Sequence, residues 1–168
     1  MFADWRPPPP TYLLVEAPPG RPAASNLCPG EPLNLEQLTQ ALVNALPDYA
    51  TRALPQTPTP RYVLVAGRPE TQPLPLDGVP PGDLAGTQQV FLTTLERIYP
   101  DGLYATYTQH YHWIFLAPAP QGWTLRQVLT RSSPYPGPGP LGPLWDTTNR
   151  TYGLALAAWL RDCGLSGP

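Results

Sequence analysis

The only two imidazoles of the chain stand two residues apart, in His110-Tyr111-His112. On an extended strand that spacing puts both rings on one face, a geometry in which two ring nitrogens can hold a metal. A catalytic zinc takes three protein ligands, and Glu96, on a strand expected alongside, is the carboxylate best placed to be the third. Read without a ligand, the pair is two half-exposed polar side chains lying opposite an aromatic face.

Other nucleophiles have a weaker sequence context. Cys28 and Cys163 are the only thiols; either could pair with a histidine, but a bridge between them abolishes that chemistry. The run Thr130-Arg131-Ser132-Ser133, with Asp146 downstream, brings hydroxyls near a carboxylate, yet no Gly-x-Ser-x-Gly elbow occurs anywhere in the chain. Arg131 and Ser133 read instead as loop anchors, and Asp146 and Asn149 as a helix cap. All 10 basic residues are arginine, which excludes Schiff-base catalysis and a P-loop lysine. The net charge of -2, with the arginines scattered, gives no footprint for nucleic acid. No cofactor-binding motif is present.

These residues must be carried by the elements around them. Asn34 with Gln37 three positions on is a capping-box start, and Leu35, Leu38, Leu42 and Val43 recur at helical spacing, which predicts a helix ending near Leu46. Pro47 restarts the chain, and 48–54 forms a further short helical turn. Tyr62–Ala66 and Gln88–Ile98 read as strands, with an extended stretch and a loop between them. From Tyr104 to Leu116 aromatic and β-branched residues dominate, and Tyr107, Tyr111, Trp113 and Phe115 share a face expected to be core. Trp123–Thr130 is the return strand of a hairpin whose loop is somewhat longer than the tightest type. Tyr152, Leu156, Trp159, Leu160 and Cys163 make an amphipathic helix with Gly164 as its stop and Asp146 or Thr148 as its N-cap.

The expected architecture is therefore α+β: a mostly antiparallel sheet of about four strands packed by an N-terminal and a C-terminal helix. The 27 prolines and 14 glycines concentrate in two places, an arm over residues 1–25 and a loop over 132–144, leaving a single domain over 26–168. The longest strongly apolar run, Tyr152–Leu160, is about half the ~20 residues a membrane helix needs. The first residues lack the basic start and apolar stretch of a signal peptide. Two cysteines permit one bridge, closing a loop of about 135 residues and worth ~4 to 5 kcal/mol in the chain-entropy model. The other reading is two unrelated buried thiols of a cytosolic protein.

Several blocks, in one order over about residues 26–164, resemble a family of uncharacterised exported cyanobacterial proteins. They are Leu27-Cys28-Pro29, Leu46-Pro47-Asp48-Tyr49-Ala50-Thr51-Arg52, Tyr62 through Glu70, Gln89 through Arg97, and Gly153 with Trp159-Leu160-Arg161-Asp162-Cys163. The resemblance implies a periplasmic or thylakoid-lumen setting, and with it the Cys28–Cys163 bridge. The chain departs from the family's Arg-Asp-Ser-Ser-Asn-Gly run, reading Trp145-Asp146-Thr147-Thr148-Asn149-Arg150 instead, so a charge-based role for that run does not carry over.

Two functions follow as expectations. The first is a non-enzymatic accessory protein that docks on a protein partner or larger membrane complex outside the cytoplasm, through Pro-rich arms bearing Trp5, Tyr135 and Trp145. The alternative is a small ligand- or metal-binding domain, or enzyme, built on the His110/His112 strand face with Glu96.

Overall fold

A computed structural model of the chain describes residues 28–30, 33–78, 84–136 and 139–166. Trp5 and the whole 1–25 arm lie outside these residues. Two helices, α1 (Leu35–Ala53) and α2 (Thr151–Asp162), pack on a sheet of five strands: β1 (Arg61–Glu70), β2 (Gln88–Ile98), β3 (Thr106–Ala119), β4 (Gly122–Tyr135) and β5 (Trp145–Asp146). The strands run in the order β1-β2-β3-β4-β5, each antiparallel to its neighbour, so the fold is α+β. Among the described residues no helix is long and apolar enough to cross a membrane.

The capping box forms: the Asn34 side chain accepts from the Gln37 amide at 2.9 Å, and the Gln37 side chain accepts from the Asn34 amide at 3.2 Å. The expected stop near Leu46 does not occur, because α1 runs through Pro47 to Ala53. An interior proline costs about 3 kcal/mol. That cost is offset where the continued turn buries Tyr49, Ala50 and Leu54 against the core. Leu54 leaves the helix with extended dihedrals, as the residue before Pro55 must.

The sheet has two unlike faces. Val63, Val90, Leu92, Ile114, Leu116 and Val128 meet Leu38, Leu42, Leu46, Leu156, Trp159 and Leu160 of the helices in one core. Tyr107, Tyr111, Trp113 and Phe115 point the other way, which corrects their expected place in that core. Both faces of β3 are apolar from Ile114 to Leu116, so alternation alone does not decide which face the helices take. On the outer face Phe91 packs against Trp113 and Tyr111, with ring centroids 5.0 and 6.4 Å apart, and Tyr107 meets Tyr135 edge-on.

The β3–β4 hairpin is tighter than expected: Ala119 pairs with Gly122, leaving Pro120 and Gln121 as the loop. The β4 strand also continues five residues beyond Thr130, to Tyr135. Its register shifts once, since Phe115 pairs with Gln127 but Leu116 pairs with Leu125, and Arg126 is the extra residue. This bulge lets Leu125 and Val128, three apart, both face the helices, and it sets the face of everything that follows in β4.

The N-cap of α2 is Arg150, without a side-chain cap, rather than Asp146 or Thr148. Asp146 closes the preceding turn instead, its Oδ1 accepting from the amide and hydroxyl of Thr148 at 2.9 and 2.6 Å. Gly153 is pressed against the backbone carbonyls of Thr147 and Thr148, where a Cβ has no room. At the other end Gly164 takes φ of +65°, and the Leu165 amide reaches back to the Leu160 carbonyl at 2.8 Å. Cys28 and Cys163 are joined in a disulfide, with Cα atoms 5.2 Å apart. Arg161 and Asp162 pair at 3.5 Å, and Asp162 also accepts from the Tyr49 hydroxyl at 3.2 Å, which ties α2 to α1 rather than to the sheet.

Candidate functional site

Toward the N-terminus of α2 the helix-facing side of the sheet turns from aliphatic to polar. Three strands each contribute two polar residues at strand spacing: Thr94 and Glu96 from β2, His110 and His112 from β3, Thr130 and Ser132 from β4. The register sets His110 directly across from Thr94 and Ser132, and His112 across from Leu92 and Thr130. The six side chains form two stacked tiers, the histidine rings lying 6.0 Å apart with planes 27° off parallel.

The inner tier is closed. His112 is 1 % exposed, its Nε2 is 2.9 Å from Thr94 Oγ1 and its Nδ1 is 2.9 Å from Thr130 Oγ1. The Thr94 hydroxyl donates onward to the Tyr152 hydroxyl at 3.3 Å, and Thr130 Oγ1 lies 2.7 Å from Thr147 Oγ1, so both ring nitrogens join a chain of hydroxyls. The Tyr152 ring covers the imidazole at 4.1 Å. Burial, and then the neighbouring His110, hold His112 well below the usual histidine range, so the ring is neutral. Burial likewise pushes the Tyr152 phenol far up, with the Glu96 charge adding to the shift and the Thr94 hydrogen bond opposing it.

The outer tier is the one that lines an open cavity. Ser132 Oγ lies 2.8 Å from His110 Nδ1, and Glu96 Oε2 lies 3.4 Å from His110 Nε2. The second contact is longer, and the buried Nε2 has no aligned hydrogen bond. The imidazole beside Glu96 is the largest influence holding its carboxyl below the ordinary range, against burial and with help from Arg61, 3.5 Å away. An ionised Glu96 only accepts, which favours the hydrogen on Nε2 and leaves the Nδ1 lone pair facing the serine hydroxyl.

A cavity of about 410 Å³ opens over this tier, lined by Glu96, His110, Ser132, Trp145, Arg150 and Tyr152 among others. Its volume is within the range of small-molecule sites. Thr151 and Tyr152, the first residues of α2, and Arg150 before them form part of the wall, so the positive end of the helix dipole shares the site with the Glu96 carboxylate. A smaller cleft of about 290 Å³ near the end of α1 contains Arg52 and Arg61 but no histidine or carboxylate.

The sequence-predicted trio Glu96, His110 and His112 is thus brought together, but with different roles from the expected ones. His112 is buried rather than half-exposed, and both its nitrogens are taken by hydroxyls. Among the described residues no three of His, Cys, Asp and Glu gather as a metal-holding set. Trp145 and Tyr135 are 61 % and 46 % exposed, and Trp145 forms one wall of the cavity. Arg131 and Ser133, expected as loop anchors, are strand residues opposite Tyr111 and Gln109. Sequence reasoning met Thr130 and Ser132 only as part of a hydroxyl run set beside Asp146 rather than His110, read Tyr152 as a helix residue, and passed over Thr94. Their signal was the pair of polar doublets Thr94-x-Glu96 and Thr130-x-Ser132, which echo His110-x-His112 on the flanking strands. The chain matches no known family model, no curated protein and no solved structure.

Proposed function

We propose that this domain binds a small organic molecule in the cavity between β2, β3, β4 and the start of α2, and that it works outside the cytoplasm. The observation that carries the reading is the placement of His110 between Ser132 and Glu96 at the floor of an open cavity. Buried polar side chains cost stability unless they are satisfied, and an apolar Trp145–Tyr152 wall above a polar floor suits a ligand with an apolar body and a polar head. The Cys28–Cys163 disulfide supports the compartment, because such bonds persist in oxidising surroundings.

The test is a titration of isotope-labelled protein with short-chain carboxylic esters and carboxylates, followed by amide shifts. Shifts are expected at residues 130–132 and 145–152, and they are lost in Thr147→Trp, which fills the cavity. Shifts elsewhere only, or none, contradict the reading.

A second reading, an accessory protein docking on a larger extracytoplasmic complex, is supported by exposed Tyr135 and Trp145 at the two ends of the Pro-rich loop. Affinity purification of Tyr135→Ser and Trp145→Ser protein should then lose its partner, and unchanged co-purification removes the reading.

A further inference from the structure

We propose that Ser132 is a nucleophile, that His110 is its general base through Nδ1, and that Glu96 is the positioning residue behind the ring, together making the cavity an esterase site for small carboxylic esters. This rests on the ligand-binding reading above and assigns that site a substrate class.

The geometry assembles the parts of an activated serine. The nucleophile and base are within hydrogen-bond reach, at 2.8 Å, and the base is backed by a carboxylate on its other nitrogen. The three groups come from three adjacent strands, Ser132 directly across from His110 and Glu96 diagonal to it, so no loop has to order to assemble them. The nitrogens are used in the reverse sense to the serine proteases, with the nucleophile on Nδ1 and the carboxylate on Nε2. The 3.4 Å Glu96 contact is loose, as such contacts often are before substrate closes the site. The inner tier holds the ring in place: neutral His112 stacks behind His110, and the Tyr152 ring lies 5.5 Å from it.

In the reaction, Ser132 Oγ bonds to the ester carbonyl carbon while its proton passes to Nδ1. The carbonyl electrons move onto oxygen, where Arg150 and the positive end of α2 are the neighbouring positive groups. The tetrahedral adduct collapses, the C–O bond to the alcohol breaks, and the alkoxide leaves with the proton from Nδ1. Water then attacks the acyl-serine, giving its proton to Nδ1, and collapse returns that proton to Ser132. One ester and one water become one acid and one alcohol. An ester suits the site because its leaving group needs the single proton that His110 holds. The Trp145 and Tyr152 rings accommodate a short acyl chain, and a cavity of about 410 Å³ limits its length.

The experiment treats the full chain with a fluorophosphonate and with p-nitrophenyl butyrate. Peptide mapping is expected to find the phosphonyl group on Ser132. Ser132→Ala abolishes labelling and hydrolysis, and His110→Gln slows both at least ~100-fold. Glu96→Gln lowers kcat with KM little changed, a split that a merely structural role does not give. Label on another residue, absence of label, or equal rates in wild type and Ser132→Ala overturns the inference. If His110→Gln fails to fold, the labelling site in the wild type still decides. Binding of the same ester to folded Ser132→Ala protein separates the two readings. Binding there without acylation in the wild type removes the nucleophile and leaves the ligand site, whereas absence of both binding and acylation removes both.

Discussion

His112 and Thr130 face each other directly across the β3–β4 ladder, the imidazole Nδ1 2.9 Å from the threonine Oγ1, and Thr130 is in turn 2.7 Å from Thr147 Oγ1. This chain of hydroxyls and imidazole joins the middle of the sheet to the turn that starts α2. The outer tier therefore stands on a hydrogen-bonded floor rather than on aliphatic packing.

Removing that floor should be costly. His112→Ala opens a cavity and takes one hydrogen-bond partner from each of the Thr94 and Thr130 hydroxyls, and is expected to lower unfolding free energy by about 3 kcal/mol. Urea unfolding followed by tryptophan fluorescence measures it, and a loss under ~1 kcal/mol contradicts the account. His112→Phe keeps the volume and should lose less.

The same residue sets an acid limit. A histidine depressed in the fold binds its proton only in the unfolded chain, so its neutral form leaves stability intact above about pH 6.5, and stability falls as pH drops below that value. Glu96 is shifted down as a carboxylate, so its contribution is present above its unfolded value near pH ~4.3 and is lost as pH falls through the lower folded one. Two declines are expected in urea midpoints measured from pH 8 to 3. His112→Phe should weaken the upper decline and retain the lower.

Gly153→Ala tests the joint between turn and helix. Its Cβ meets the Thr148 carbonyl oxygen, which is backbone and cannot swing aside. A cost of about 1 to 3 kcal/mol is expected, with amide shifts at Thr147 and Thr130 as their contact loosens.

The bulge at Arg126 is a matter of count rather than chemistry. Arg126→Ala should change stability by less than ~0.5 kcal/mol. Deleting the residue restores plain alternation and turns Val128, Thr130 and Ser132 to the aromatic face. Loss of cooperative unfolding in the deletion alone is the expected result in thermal melts.

Replacing Cys28 and Cys163 with serine should cost about 2 to 5 kcal/mol, and wild-type protein in reductant should approach the double variant. Equal melting temperatures with and without reductant contradict this.

Much of the fold was legible because its signals are local. The Asn34–Gln37 box, the alternation of β2 and β3 and the Gly164 stop each depend on a few neighbouring residues. Pro47 was misread because the burial that carries the helix past it comes from distant partners of Tyr49 and Ala50. The side of the sheet taken by the helices was hidden for a similar reason, since aromatic and aliphatic residues alternate on β3 and both are apolar. Glu96, His110 and His112 stood out as ionisable groups within apolar strands. Ser132 was visible only as one hydroxyl of a run near Asp146; its pairing with His110 was hidden, because its face depends on the extra residue at Arg126.

The disulfide also decides how the domain bears load. It joins the chain just ahead of α1 to the end of α2, so tension between the segment before Cys28 and the segment after Cys163 runs through the Sγ–Sγ bond. The β-ladder and the polar tiers lie inside the closed loop, off the line of force. A tether on the flank after Cys163 would first strip Leu165 and Ser166 from Trp123, at the end of β4 away from the cavity, and the polar tiers would bear load only after reduction.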